Sequence, residues 1–167
     1  VTRPPFSRVP LQHVLAAAYA HLSRWVTTGT PPPTAPPLLF NADGTKARNE
    51  LGLAEGGIRL SQVTAPTALN TGEKTGQTFC VLFGTHIPFE EAQLKRLYRS
   101  KAAYVAGVIK ADASNVHKGY LQPADAVQNL KRRLPWISEQ PPSRHPPGQR
   151  GDCLSRQVPP GVAAPHG

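Results

Sequence analysis

The 167-residue chain carries eight serines, six histidines and two cysteines, the side chains from which nucleophilic and metal-assisted chemistry is usually built. A serine-hydrolase elbow needs glycines two positions either side of its nucleophile, because the strained turn leaves no room there for Cβ atoms. None of Ser7, Ser23, Ser61, Ser100, Ser114, Ser138, Ser143 and Ser155 has those neighbours. The histidines stand at positions 13, 21, 86, 117, 145 and 166, and no pair has the i, i+4 spacing with which one helix face offers two imidazoles to a metal ion. Cys80 and Cys153 lie 73 positions apart without a C-x-x-C spacing, so they define neither a disulfide framework nor a zinc site. The stretch TGEK at 71–74 is similar to the linker between zinc fingers but lacks the ligands that accompany it, and GEKTGQT lacks the G-K-[ST] end of a phosphate loop. No metal and no cofactor is expected.

Three residues remain as site candidates. His13 sits one position off an apolar helical stripe, where it could face a cleft and carry a proton; the ordinary alternative is a partly exposed helix histidine. His86, between FGT and IPF, could line a pocket rim, against the commoner outcome of a loop histidine bonded to the backbone. Arg59 follows Gly56 and Gly57, whose bare backbone permits close approach, so its guanidinium could clamp a substrate carboxylate; a structural salt bridge or an exposed arginine is the plainer reading. Cys80, in an apolar run without a basic neighbour to lower its pKa, reads as a small buried hydrophobe.

The elements that must position these residues are mostly helical. In PLQHVLAAAYAHLSRWV, residues 10–26, Leu11, Val14, Leu15, Ala18, Leu22 and Trp25 recur at spacings of three and four, which predicts an amphipathic helix over 10–27 with Pro10 in its first turn and Gly29 as its cap. Burying each Leu or Val of that stripe is worth about 1.5–3 kcal/mol, but no segment nearby looks sufficient to cover it. Five of the seven positions 31–37 are proline, which favours a stiff polyproline II strap over 30–40 that delivers Leu38, Leu39 and Phe40 to a packing surface. Residues 41–77 are rich in turn formers and predict sparse regular structure. TFCVLFG at 78–84 is apolar and β-prone. A helical region over 88–134 then holds three helices: one opened by Pro88 and two glutamates, one capped by Ser100 and ended by Gly119, and one opened by Gln122 and Pro123. From 138 onward, seven prolines in 30 residues with no aromatic and no periodicity predict a disordered tail.

Composition bounds the core. Leu, Ile, Val and Phe make up 37 of 167 residues, about 22%, close to the roughly 20% below which chains tend towards disorder. The net charge of +9 suits an anionic partner, but the charges are dispersed, which disfavours a dedicated nucleic-acid patch. No run reaches the roughly 18 apolar residues of a membrane span, and VTRPPFSRVP has no signal-peptide core. A chain that opens on Val and contains no Met reads as an excerpt or as a frame opened at an unusual codon.

Several motifs occur in a telling order: HVLAAAYAHLSRWV, GTPPPTAP, the R-x-x-x-G-x-x-x-G-G-I-R-L of Arg48 to Leu60, VTAPTA, FCVLFGTHIPF and GYLQPADA. Together, over about residues 8 to 133, they resemble the C-terminal part of an uncharacterised family of α/β-hydrolase-domain proteins. Asn49 stands where that family often has Asp, and Ser61 where Pro is common. The resemblance implies a chain that is mainly α with irregular loops, the C-terminal portion of an α/β-hydrolase-like (α/β) fold over 1–137, followed by the tail at 138–167. It implies an esterase-like hydrolase whose serine, acid and histidine lie before residue 10, so the chain alone is expected to be inactive and to need the upstream part of the domain as its partner. Two other readings stand beside it: a basic nucleic-acid-binding module, and a non-functional truncated or frameshifted product.

Overall fold

A computed structural model describes residues 6–74 and 78–134, apart from the side chains of Thr78 and Cys80; the expected tail and the reading of Cys80 as a buried hydrophobe lie outside the described residues. Helices dominate. Helix α1 spans Leu11–Thr28, α2 Ser61–Thr64, α3 Glu91–Leu97, α4 Lys101–His117 and α5 Pro123–Arg133. The short strands β1, Ala68–Thr71, and β2, Thr85–Pro88, pair antiparallel with Ala68 opposite Pro88 and Thr71 opposite Thr85.

The helix ends follow from local chemistry. Gly29 closes α1 in the left-handed conformation, φ 73°, its N–H returned to the Trp25 carbonyl, while Pro10 takes the N-cap position and not the first turn. Ser100 caps α4 through its hydroxyl, which accepts from the Ala103 N–H at 3.1 Å. Gly119 follows α4 at φ +77°, and Pro123 opens α5, whose last turn carries Lys131, Arg132 and Arg133 against the negative end of the helix dipole.

Two expectations are corrected. The apolar run at 78–83 is a 3-10 helix, and the strand begins only at Thr85. Gly84, at φ +60°, separates the two: a Cβ there would lie 2.1 Å from the Thr71 carbonyl oxygen, so the chain turns in tightly beside β1 before pairing with it. Pro88 accordingly ends β2 and does not open α3, whose N-cap is Glu90.

The strap leads into a small meander. Isolated bridges pair Leu38 with Gly56, Phe40 with Lys46 and Arg48 with Ala54, around the turns at 41–44 and 49–52. Gly56 permits this approach, because a Cβ at that position, φ +75°, would lie 2.3 Å from the Pro37 carbonyl oxygen. The pairing is a backbone matter: Leu38, Leu39 and Phe40 keep exposed side chains, so the apolar end of the strap is not buried among the described residues.

The packed centre is small. Helix α2 packs on α4 and β1, and α4 packs on α5. Ala65, Tyr104 and Val108 form its apolar kernel, flanked by Tyr98, Val105 and Leu130. Tyr98 and Tyr104 meet edge to face at 5.1 Å, and Arg133 donates both to the Tyr104 hydroxyl and to the Ala65 carbonyl at 2.7 Å. Burial pushes the Tyr98 hydroxyl up to about 12.

Helix α1 meets the rest of the described chain at the first turn of α5 and at the Gly119 loop. His13 and Ala17 are its buried residues, and His21, a turn further on, bonds the Gly119 carbonyl through Nε2 at 2.8 Å. The opposite side carries Leu11, Leu15, Tyr19, Leu22 and Val26, all exposed, with Val26 at 79%. Among the described residues no other element covers that stripe with a packed face.

Candidate functional site

The largest concentration of buried polar groups lies between α2, α4 and α5. Ser61, Gln62, Asp112, Asn115 and Asn129 are all buried, Ser61 completely. Asn129 organises the cluster. Its Nδ2 donates to Ser61 Oγ and to Asp112 Oδ2, each at 2.7 Å, and its Oδ1 accepts from Gln62 Nε2 at 2.6 Å. Asn115 Nδ2 bonds the carbonyls of Arg59 and Ala111, which ties the α2 entry to α4.

This arrangement puts a serine, an amide and a carboxylate in a row, and its chemistry is limited by the middle member. An amide nitrogen that donates to Ser61 Oγ has no lone pair to take the hydroxyl proton, so Asn129 cannot act as its base. A fully buried hydroxyl also has no route to a substrate. The cluster therefore holds helices in register, its bonds satisfying most of the groups that would otherwise be costly to bury, although Gln62 Oε1 and Asp112 Oδ1 find no hydrogen-bond partner among the described residues. Sequence reasoning missed it as a unit. Its one legible trace is that Asp112 and Asn115 share helical spacing with Tyr104, Val108 and Ala111, so polar residues interrupt the buried stripe of α4.

The three candidate residues lie apart from one another. His13 is buried to 4% exposure, not partly exposed as a helix-surface histidine would be, and its Nε2 lies 3.9 Å from Asp125 Oδ1 in the first turn of α5. The helical spacing marks Leu11, Leu15 and Leu22 of the outward stripe but not that His13 lies on the side of α1 turned towards the rest of the described chain. Among the described residues Arg59 meets no carboxylate: Nη1 donates to the Ala54 carbonyl within the same loop, and its own carbonyl accepts from Asn115. His86 is also buried, on β2, where its Nδ1 hydrogen reaches Asn70 Oδ1 at 2.8 Å; the same oxygen accepts the Arg8 N–H. Burial first, and then the charges of Arg8 and Arg133, hold the His86 imidazole down to about 4, so it is neutral at physiological pH. His86 and Arg59 line neither of the two cavities that flank α1.

Among the described residues no three His, Cys, Asp or Glu side chains gather as a metal-holding group, and no helix is long and apolar enough to cross a membrane.

The family model described as alpha/beta hydrolase domain matches residues 1–131. The chain belongs to that alpha/beta hydrolase domain family. Comparison with curated proteins and with solved structures gives no match. Membership of the hydrolase family frames the geometry above: among the described residues of this member, no serine is paired with a histidine, and the buried Ser61 has an amide where a hydrolase would need a base.

Proposed function

We propose that this chain is a helical portion of an esterase-like α/β-hydrolase domain, and that it does not turn over esters by itself because nucleophile, acid and base are contributed by polypeptide outside it. One observation carries the reading: α1 buries His13 and Ala17 against its own chain and turns Leu11, Leu15, Tyr19, Leu22 and Val26 outward. A soluble helix with this orientation is inverted relative to the hydrophobic effect unless another body covers the outer stripe. Exposed Leu38, Leu39 and Phe40 at the end of the strap point the same way. The family match supports a hydrolase domain as the context for that body.

The test is turnover of a p-nitrophenyl ester by the full chain. The reading expects the uncatalysed rate, unchanged in Ser61→Ala and His13→Gln. Turnover above background that either substitution abolishes would show that the chain holds its own catalytic centre and would overturn the proposal.

A further inference from the structure

Along the sequence the positive charges are dispersed, but the fold gathers part of them. Seven of the nineteen lysines and arginines fall in two short stretches, four in 95–101 and three in 131–133, and neither stretch contains an acid. Helices α4 and α5 run antiparallel and bring the two together: Asn129 holds Asp112, and one turn further along α5 Arg133 donates to the Tyr104 hydroxyl near the start of α4, each at 2.7 Å. Tyr98, in the connection from α3 to α4, meets the same Tyr104 ring edge to face at 5.1 Å. The end of α5 and residues 95–101 therefore share one corner, pinned by Arg133 on Tyr104.

The charge of that corner is largely unanswered. Arg133 is committed to the pin, and Lys95 is paired with Glu91 at 2.7 Å. Arg96, Arg99, Lys131 and Arg132 are exposed and make no ion pair among the described residues. Asp112, the carboxylate of the facing helix, is buried on Asn129 and not presented at the surface. A surface of this kind draws a polyanion by charge complementarity.

Its apolar side chains decide between polyanions. Leu97 and Leu134, neighbours in sequence of Tyr98 and Arg133, are 37% and 43% exposed among these cations. The two aromatic rings of the corner are engaged in packing, Tyr98 also donating its hydroxyl to the Pro66 carbonyl, so neither offers a free face on which a nucleic-acid base could stack. A duplex would use the cations alone and leave both leucines against its phosphates. Leucines set among lysines and arginines suit the boundary between lipid headgroups and acyl chains, where both kinds of side chain are satisfied.

We propose that this corner docks on an anionic lipid bilayer, its cations on the headgroups and Leu97 and Leu134 at the acyl boundary. Helix α1 meets α5 at the other end, through Asp125, eight residues and about 12 Å from Arg133 along the helix. The inference therefore does not rest on the outward stripe of α1, nor on whether the chain is catalytic.

The test is co-sedimentation of the full chain with vesicles of phosphatidylcholine alone and of phosphatidylcholine mixed with phosphatidylglycerol. Binding is expected to the anionic vesicles only and to weaken as salt is raised. Arg99→Gln/Lys131→Gln, which removes one exposed cation from each stretch, is expected to weaken it about 25-fold, since each cation near an anionic leaflet is worth about fivefold. Arg24→Gln/Lys118→Gln removes the same charge away from the corner and is expected to cost no more than about threefold. Leu134→Gln is expected to weaken vesicle binding severalfold and to leave retention on a DNA duplex unchanged. All five side chains are exposed, and unchanged circular dichroism confirms the folding of each variant. Equal binding to neutral and anionic vesicles, no binding to either, equal losses in the two double variants, or an unaltered partition in Leu134→Gln would each overturn the proposal. Stripping of the protein from anionic vesicles by duplex DNA at equal charge would overturn it as well and assign the corner to nucleic acid.

Discussion

Asn129 Nδ2 lies 2.7 Å from Ser61 Oγ, across 68 positions of sequence, and this single amide joins the α2 turn to α5 while holding Asp112 of α4. Removing it strands three buried polar side chains at once. Asn129→Ala is therefore expected to cost about 3 kcal/mol, because unpartnered buried groups, and a buried carboxylate above all, retain their desolvation penalty. Urea denaturation of the two proteins measures it; a loss below about 1 kcal/mol would show that the cluster does not hold the helices.

Two glycines with similar backbone angles separate conformational strain from collision. Gly44 has φ +79° with open space around a notional Cβ, whereas Gly56 has φ +75° with the Pro37 carbonyl oxygen 2.3 Å from that position. Gly44→Ala is expected to cost only the left-handed penalty, about 1–2 kcal/mol. Gly56→Ala is expected to cost clearly more and to release the strap from the meander, which limited proteolysis between residues 30 and 40 would detect. Equal costs would mean that the strap does not pack against the backbone at Gly56.

His86 makes stability pH-dependent with a definite sign. Its folded-state value, about 4, lies below the ordinary 6.5, so between those values the unfolded chain binds a proton that the folded chain refuses. The contribution is fully present above about pH 6.5 and is lost as pH falls towards 4. The melting temperature is expected to drop across that window and the slope to flatten in His86→Gln. An identical slope in the variant would show that other groups set the acid sensitivity.

The outward stripe of α1 predicts a mutational asymmetry. Leu15→Gln and Leu22→Gln alter half-exposed side chains and are expected to change the stability of the chain by no more than about 0.5 kcal/mol while lowering its tendency to self-associate. Val108→Ala, at a fully buried position of α4, is expected to cost about 2–4 kcal/mol. Sedimentation and urea titration of the three variants check both halves of the statement.

Much of the fold was legible where one residue type has one local job. Gly29 stops α1, the Ser100 hydroxyl starts α4, and Pro123 starts α5, each acting within a turn of its own position. The run at 78–84 was misread because a β-prone composition becomes a strand only where a partner backbone is available, and β1 offers its partners to Thr85–Pro88 instead. The polar cluster was hidden for a related reason: Ser61, Asp112 and Asn129 come together only through the packing of three helices distant in sequence. Leu11, Leu15 and Leu22 of the outward stripe of α1 could be read and Tyr19 and Val26 were not, while the burial of His13 on the other side depends on Asp125, which no periodicity contains.

The central claim is that the described residues leave the apolar stripe of the first helix uncovered, and hydroxyl-radical footprinting of the dilute, monomeric protein tests it most directly. Leu11, Leu15, Leu22 and Val26 are predicted to label many times faster than the buried references Leu53 and Tyr104. Labelling of the stripe as slow as that of the references would mean that the chain covers its own helix, and the case for a missing partner body would be lost.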